Sequence, residues 1–259
     1  MAELSAAFLT QPIAHRGLHD AASGCLENSR AAVAAAIDAG CGIELDVQRA
    51  RCGTPMVFHD DTLDRLTGRV GPVHAFDAAA LGATLLTGSQ ETIPTLAEIL
   101  TLTAGRAPLL IEIKDQSGCL GPVDGALETA TCRLLEEYDG PVALMSFNPH
   151  SMAICKDRAP GLPRGLTTCP FGPDDWPGTS AARCAALSEI VDFDQVGASF
   201  VSHHHQALEM PAITALRRRG VPVLCWTIRS AAEEAEALRH AQNVTFEGYR
   251  PAALQPQRH

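Results

Sequence analysis

The run Ile43 to Val47, IELDV, sets two acids, Glu44 and Asp46, two residues apart in an otherwise apolar stretch. In a strand, residues i and i+2 point to one face, so both carboxylates look one way while Ile43, Leu45 and Val47 look the other. Two ionised groups taken from water and turned toward each other cost on the order of several kcal/mol unless positive charge sits between them. The simplest such charge is a divalent cation. A fold built on this strand must therefore offer a charged interior on one side of a sheet and an apolar layer on the other.

The same device recurs at Leu109 to Lys114, LLIEIK, where Glu112 and Lys114 share a face and add a third carboxylate and a compensating ammonium. Two further short apolar runs end in histidine: PIAHRG brings His15, Arg16 and Gly17, and PMVFHD brings His59 and Asp60. Polar groups delivered at the C-terminal ends of strands are how an α/β barrel assembles its site.

The 259 residues, 46% hydrophobic and 19% charged, fit one barrel domain over 1–259, with apolar material for a large core. No linker of low complexity and no repeat of solenoid period divides them. A formal net charge of -10 opposes binding to nucleic acid or to an anionic bilayer. No apolar run approaches the roughly 20 residues of a membrane span, and the N-terminal MAELSAAFLTQP lacks the basic and apolar regions of a signal peptide. The expectation is a cytoplasmic protein. The nine cysteines are an odd set with no C-x-x-C pair, which reads as mostly small buried thiols rather than a disulfide framework or a zinc site.

Short apolar strands alternate with alanine-rich amphipathic stretches, the pattern of a parallel sheet with crossover helices. Strands are predicted near 11–14, 42–47, 55–59, 108–114, 141–146, 163–167, 197–202, 221–227 and 243–246. That is one segment more than the eight staves of a barrel. Between Gln48 and Thr54 there is no room for a helical crossover of a dozen or so residues, so one segment is irregular, antiparallel or outside the barrel. Thr95 with Glu98 and Ser230 with Glu233 have capping-box spacing, Asn148-Pro149 fits an N-cap and first helical position, and Gly40, Gly105 and Gly220 stand where left-handed caps belong. The Gly-, Thr- and Asp-rich stretch 61–93, directly after His59 and its strand, is expected to be a lid or short insertion.

Hard cations such as Mg²⁺ and Ca²⁺ select oxygen ligands, so Glu44, Asp46 and Glu112 suit them better than zinc. Such an ion beside a guanidinium and an ammonium makes a positive pocket in an acidic protein, and phosphate is its natural occupant. Arg16 and Lys114 are the phosphate clamps, and His15 and His59, on separate strands, are the acid and base. The implied reaction is phosphodiester cleavage.

These residues resemble the glycerophosphodiester phosphodiesterase family. The likeness is carried by AHRG (14–17), ENS (27–29), GIELDVQ (42–48), VFHDDTLDRLTG (57–68), IPTLAEIL (93–100), IEIK (111–114), SFN (146–148) and CWT (225–227), in order and in register over nearly the whole chain. It implies an irregular TIM (β/α)8 barrel that hydrolyses glycerophosphodiesters to glycerol 3-phosphate and an alcohol, using a divalent cation, Mg²⁺ or Ca²⁺ with Mn²⁺ as a third candidate. Carried over by position, Glu44, Asp46 and Glu112 bind metal, His15 and His59 are the acid-base pair, and Arg16 and Lys114 hold phosphate. Trp226 and Phe147 line the substrate pocket. By the same analogy, the glycerol hydroxyl next to the ester attacks phosphorus and water opens the resulting cyclic phosphate. The chain departs from the family at Arg51-Cys52-Gly53, where an Asp-Gly turn is usual, and at NVTFEGYRP (243–251), where an apolar run into Thr-Asp is usual.

Competing readings are a structural ion pair, Glu112 with Arg16 or Asp46 with Lys114, and histidines bonded only to backbone. So many charged strand positions exceed what a fold needs. His203-His204-His205 cannot serve one ion, because neighbours on a strand alternate faces; His203 or His205 is expected near the substrate. Asp60 and Asp61 either orient His59 or cap the loop that follows, while His19, His74, His150 and His240 read as surface residues. The alternative functions are a lysophospholipase D or sphingomyelinase-D-like activity and a non-catalytic barrel for a phosphorylated ligand.

Overall fold

The computed structural model describes residues 2–172 and 174–254. Its strands are β1 (Ile13–Ala14), β2 (Gly42–Arg49), β3 (Pro55–Val57), β4 (Leu109–Ile113), β5 (Val142–Ser146), β6 (Arg164–Thr168), β7 (Phe200–His204), β8 (Val223–Ile228) and β9 (Asn243–Phe246). All but β3 pair in parallel in the order β1-β9-β8-β7-β6-β5-β4-β2, and β1 pairs with β2 to close the ring. The protein is a TIM barrel. The additional segment is β3, which folds back antiparallel on the end of β2 with Val47 opposite Val57 and Arg49 opposite Pro55. Six residues between Gln48 and Pro55 suffice for a hairpin and for nothing longer.

The helices are α1 (Ala7–Thr10), α2 (Arg30–Ala39), α3 (Ala78–Gly82), α4 (Leu96–Thr103), α5 (Ala126–Leu135), α6 (Pro149–Arg158), α7 (Ala181–Ser188), α8 (Pro211–Arg218) and α9 (Ala231–Ala237). Their ends follow local chemistry. Thr95 and Glu98 form a complete capping box on α4, and Asn148 accepts from the His150 amide with Pro149 in the first turn of α6. Ser230 caps α9, but the Glu233 carboxylate turns to the Arg229 amide instead of completing a box. Gly40 ends α2 in the left-handed region, whereas α4 already turns there at Ala104, one residue before Gly105. Among the described residues no helix is long and apolar enough to cross a membrane.

Strand parity sorts the side chains into two compartments. Ile43, Leu45 and Val47 of β2, with Leu109, Ile111 and Ile113 of β4 and Val223 and Cys225 of β8, pack outward under the helices. The alternate residues point inward. A lower interior layer of Ile13, Leu110, Ala143, Phe200 and Leu224 is closed from below by Phe8 of α1. Asn243 ties that helix to the barrel floor, its amide donating to the carbonyls of Phe8 at 2.7 Å and Gln11 at 2.6 Å. One register step above, the interior turns polar: Asp46 lies opposite Glu112. The segment after β3 has a small core of its own, in which Leu63, Val73, Leu81, Leu86 and Ile93 pack with Met56 and Phe58.

The floor is filled tightly enough to dictate a glycine. A Cβ on Gly165 of β6 would overlap the Phe200 ring. Replacing Gly165 by Val is expected to destabilise the barrel by about 1–3 kcal/mol or more through overpacking, read as a lower midpoint in urea unfolding. An unchanged midpoint would mean that the floor can yield.

Candidate active site

At the C-terminal end of the barrel Glu44, Asp46 and Glu112 bring carboxylate oxygens within 4.8 Å of one another. Their exposures are 2%, 2% and 6%, so little water shields the repulsion. Burial and then the charges of Asp46 and Glu112 push the Glu44 carboxyl well above the ordinary range. Burial alone would raise Asp46 too, but Lys114, His59 and Arg16, with a hydrogen bond from Asn28, hold it well below. Lys114 Nζ lies 2.8 Å from Glu112 and 3.4 Å from Asp46, and Arg16 Nε lies 3.5 Å from Asp46. The Asp46–Lys114 ion pair is thus present, yet it does not balance the cluster: two cations face three acids. An all-oxygen set with one excess negative charge fits a hard divalent ion.

Arg16 is presented by an unusual stretch of backbone. It adopts φ 55, its amide donates to Glu44 Oε2 at 2.9 Å, and Gly17 follows at φ 78. At Gly17 a side chain would sit 2.9 Å from Ala32, so the turn can press against α2 only without one. Arg16 Nε is buried without a hydrogen-bond acceptor, a donor left for a ligand.

Both histidines are held the same way. His15 Nδ1 lies 2.6 Å from Glu247 Oε2, and His59 Nδ1 lies 2.7 Å from Asp60 Oδ1. Each Nε2 is thereby left for the cavity that both rings line. Burial lowers the His15 pKa despite the hydrogen bond to Glu247. Glu247 is in turn held by Arg229 at 2.8 Å, and Asp60 by Arg65 Nε at 2.6 Å. Arg65 then reaches Glu27 at 2.8 and 2.9 Å, and Glu27 accepts from Arg16 at 2.7 Å. One continuous chain of charges runs from His59 through Asp60, Arg65 and Glu27 to Arg16.

The cavity of about 180 Å³ takes in all the residues expected from sequence: His15, Arg16, Glu44, Asp46, His59, Glu112, Lys114, Phe147 and Trp226. Phe147 and Trp226 meet edge to face at 5.4 Å. Of the histidine triplet, parity turns His203 outward, where it is fully buried with Nδ1 2.7 Å from Thr168 Oγ1. His204, rather than His203 or His205, faces Trp226, at 5.3 Å. His19 is not a plain surface residue either, its Nε2 lying 3.7 Å from Glu247. Sequence reasoning missed Glu27, Asn28, Arg65, Arg229 and Glu247. The first three stand inside motifs already noted; Glu247 stands in the departure at 243–251 and supplies the carboxylate that holds His15.

A family model described as the glycerophosphoryl diester phosphodiesterase family matches residues 15–245. The chain belongs to this family. It is 36% identical over 166 residues to a glycerophosphodiester phosphodiesterase of Caldanaerobacter subterraneus subsp. tengcongensis, a stretch covering 61% of this chain and 66% of that one. A Bacillus subtilis protein provisionally named for the same activity is 28% identical over 231 residues, 84% of this chain and 86% of the relative. Among solved structures, an Oleispira antarctica phosphodiesterase in complex with the product sn-glycerol-3-phosphate superposes with TM-score 0.76 at 23% identity, covering 93% of this chain and 94% of that one. A glycerophosphodiester phosphodiesterase from Agrobacterium tumefaciens does so with TM-score 0.68 at 22% identity, covering 95% and 96%. At these identities the superpositions speak for a shared barrel.

In this phosphodiesterase barrel Arg65 is the hub between His59 and Arg16, and its removal has a pH signature. The Asp60 carboxyl is opposed by burial but held down to about 2 by Arg65 and His59, against an ordinary 3.8. A depressed carboxyl stabilises the fold above its unfolded pKa and loses that contribution as pH falls through the folded one. Arg65→Ala is therefore expected to cost about 1–2 kcal/mol near neutrality, with the difference from wild type shrinking between pH 4 and pH 2 in chemical unfolding. A constant difference across that window would assign the loss to packing instead.

Proposed function

We propose that this protein is a metal-dependent glycerophosphodiester phosphodiesterase that releases glycerol 3-phosphate and an alcohol. The observation that carries the reading is the facing of a three-carboxylate cluster by two histidines, each fixed at Nδ1 by its own carboxylate. The activity for which its relatives are named supports it. A divalent cation on Glu44, Asp46 and Glu112, Mg²⁺ or Ca²⁺ with Mn²⁺ as a third candidate, would draw charge from the phosphate oxygens and acidify the attacking hydroxyl.

The chain's own groups do the rest. Arg16, whose Nε has no hydrogen-bond acceptor of its own, and Lys114 hold the phosphodiester against the cluster. The glycerol hydroxyl next to the ester attacks phosphorus while the Nε2 of one histidine takes its proton. The Nε2–H of the other protonates the departing alkoxide as the bond from phosphorus to the alcohol oxygen breaks. Water then opens the cyclic phosphate with the two proton roles exchanged, and both rings return to their starting states. Glu247 and Asp60 hold each ring by its Nδ1–H, so Nε2 is the atom that takes a proton onto the neutral ring and gives one from the protonated ring. Trp226 and Phe147 wall the cavity and exclude bulk water.

Glycerol 3-phosphate release, followed with a coupled enzyme, is expected with a divalent metal and abolished by EDTA. His59→Ala should lower kcat about 10²–10⁴-fold while retaining the metal-induced rise in Tm, whereas Glu112→Gln should lose both. Full turnover by the His59 variant, or metal-independent release by the wild type, would overturn the mechanism.

A further inference from the structure

Beside the carboxylate cluster the barrel mouth opens into a second cavity of about 460 Å³ that shares His59, Glu112, Lys114, Phe147 and Trp226 with the first. Its far wall comes from the loops after β4 and β6. Trp176 packs tilted against Phe147 with ring centroids 5.2 Å apart, and Phe147 meets Trp226 edge to face at 5.4 Å, so three aromatic rings in mutual contact line the cavity. The charged groups along the same wall are Asp61, Asp115 and Asp175.

Those acids are not neutralised where they stand. Asp61 accepts from the Gln48 amide at 2.9 Å, and Asp115 from Ser117, Leu120 and Asn148, all uncharged donors. Asp175 is exposed at the mouth and has no ion-pair partner among the described residues. Among the described residues that line this cavity Lys114 is the one lysine or arginine, and it stands at the end shared with the first cavity, 2.8 Å from Glu112 and 3.4 Å from Asp46. Ring faces and unneutralised carboxylates both attract a positive charge and repel a negative one. In the phosphodiesterase reading the first cavity, by contrast, would take the phosphate beside Arg16, Lys114 and a cation on Glu44, Asp46 and Glu112. Two adjoining cavities of opposite preference match a zwitterion, anionic at phosphorus and cationic a few bonds away.

We propose, resting on the phosphodiesterase reading above, that the cavity walled by Trp176, Phe147, Asp115 and Asp175 is a leaving-group subsite selecting alcohols that carry a quaternary or primary ammonium. Trp176 and Asp175 are its specificity-determining residues. Neutral polyol esters lack the charge that the wall recognises, and acidic alcohols are repelled by it.

The test compares kcat/KM for glycerophosphocholine and glycerophosphoglycerol, with calorimetric titration of choline chloride into the metal-loaded protein as a second readout. The choline ester is expected to be favoured about tenfold. In Trp176→Leu and Asp175→Asn that ratio should fall toward unity through a higher KM for the choline ester, and choline binding should weaken in step. Equal turnover of both esters by the wild type would overturn the subsite and leave the phosphodiesterase reading intact. Absence of glycerol 3-phosphate from either ester would count against the phosphodiesterase reading, and the calorimetry would then decide the subsite alone: choline bound by the wild type and not by Trp176→Leu upholds it, and no binding by the wild type ends it.

Discussion

Three carboxylates within 4.8 Å of one another, almost out of contact with water, are the constraint around which the rest is arranged. Such a cluster is intolerable alone, because both desolvation and mutual repulsion oppose its charge. The barrel answers in layers. Lys114 and Arg16 supply partial compensation from the neighbouring strand ends, Asn28 both donates to Asp46 and accepts from its amide, and the remaining negative charge is what a divalent cation would balance in the proposed reading. The repulsion is thus the source of the binding site rather than a defect in it.

A second arrangement surrounds the first. Each histidine is braced by a carboxylate that is itself braced by an arginine: His15 by Glu247 and Arg229, His59 by Asp60 and Arg65. The two triads are built from unrelated stretches of chain, one from the ends of β1, β8 and β9 and one from the end of β3 and the segment after it. Carboxylate and guanidinium alternate along each triad, so the charge of one compensates that of the next in a half-buried rim where an isolated charge would lose much of its hydration. Both imidazoles are therefore oriented from the rim inward, while the floor beneath contributes only packing.

Much of this was legible in the chain itself because strand parity is a local rule. Glu44, Asp46, Glu112 and Lys114 could be assigned to one interior from their spacing, and β2 and β4 then pair in the register that puts Asp46 opposite Glu112. Parity also governs the histidine triplet, but its phase depends on where β7 starts, and a strand over 200–204 in place of the expected 197–202 hands the inward position to His204. The bracing residues were harder. Glu27, Arg65, Arg229 and Glu247 lie in connections, where no periodicity fixes direction, and Glu247 meets His15 across nearly the full length of the chain only because β1 and β9 close the ring. Likewise β3 could be recognised as surplus by its short connection, while its antiparallel hairpin with β2 became definite only with the pairing in view.

The plugged floor has a bearing on traffic. With Phe8 under the interior and Phe200 filling the space that Gly165 vacates, the reaction chamber is blind-ended. In the proposed two-stage hydrolysis, water needs access to phosphorus only after the alcohol has gone, and both use the same doorway. The alcohol must vacate before water can take its place, and glycerol 3-phosphate, seated deeper against the carboxylates, departs last. A queue of this kind arises from the shape of the barrel alone and holds whichever alcohol occupies the mouth.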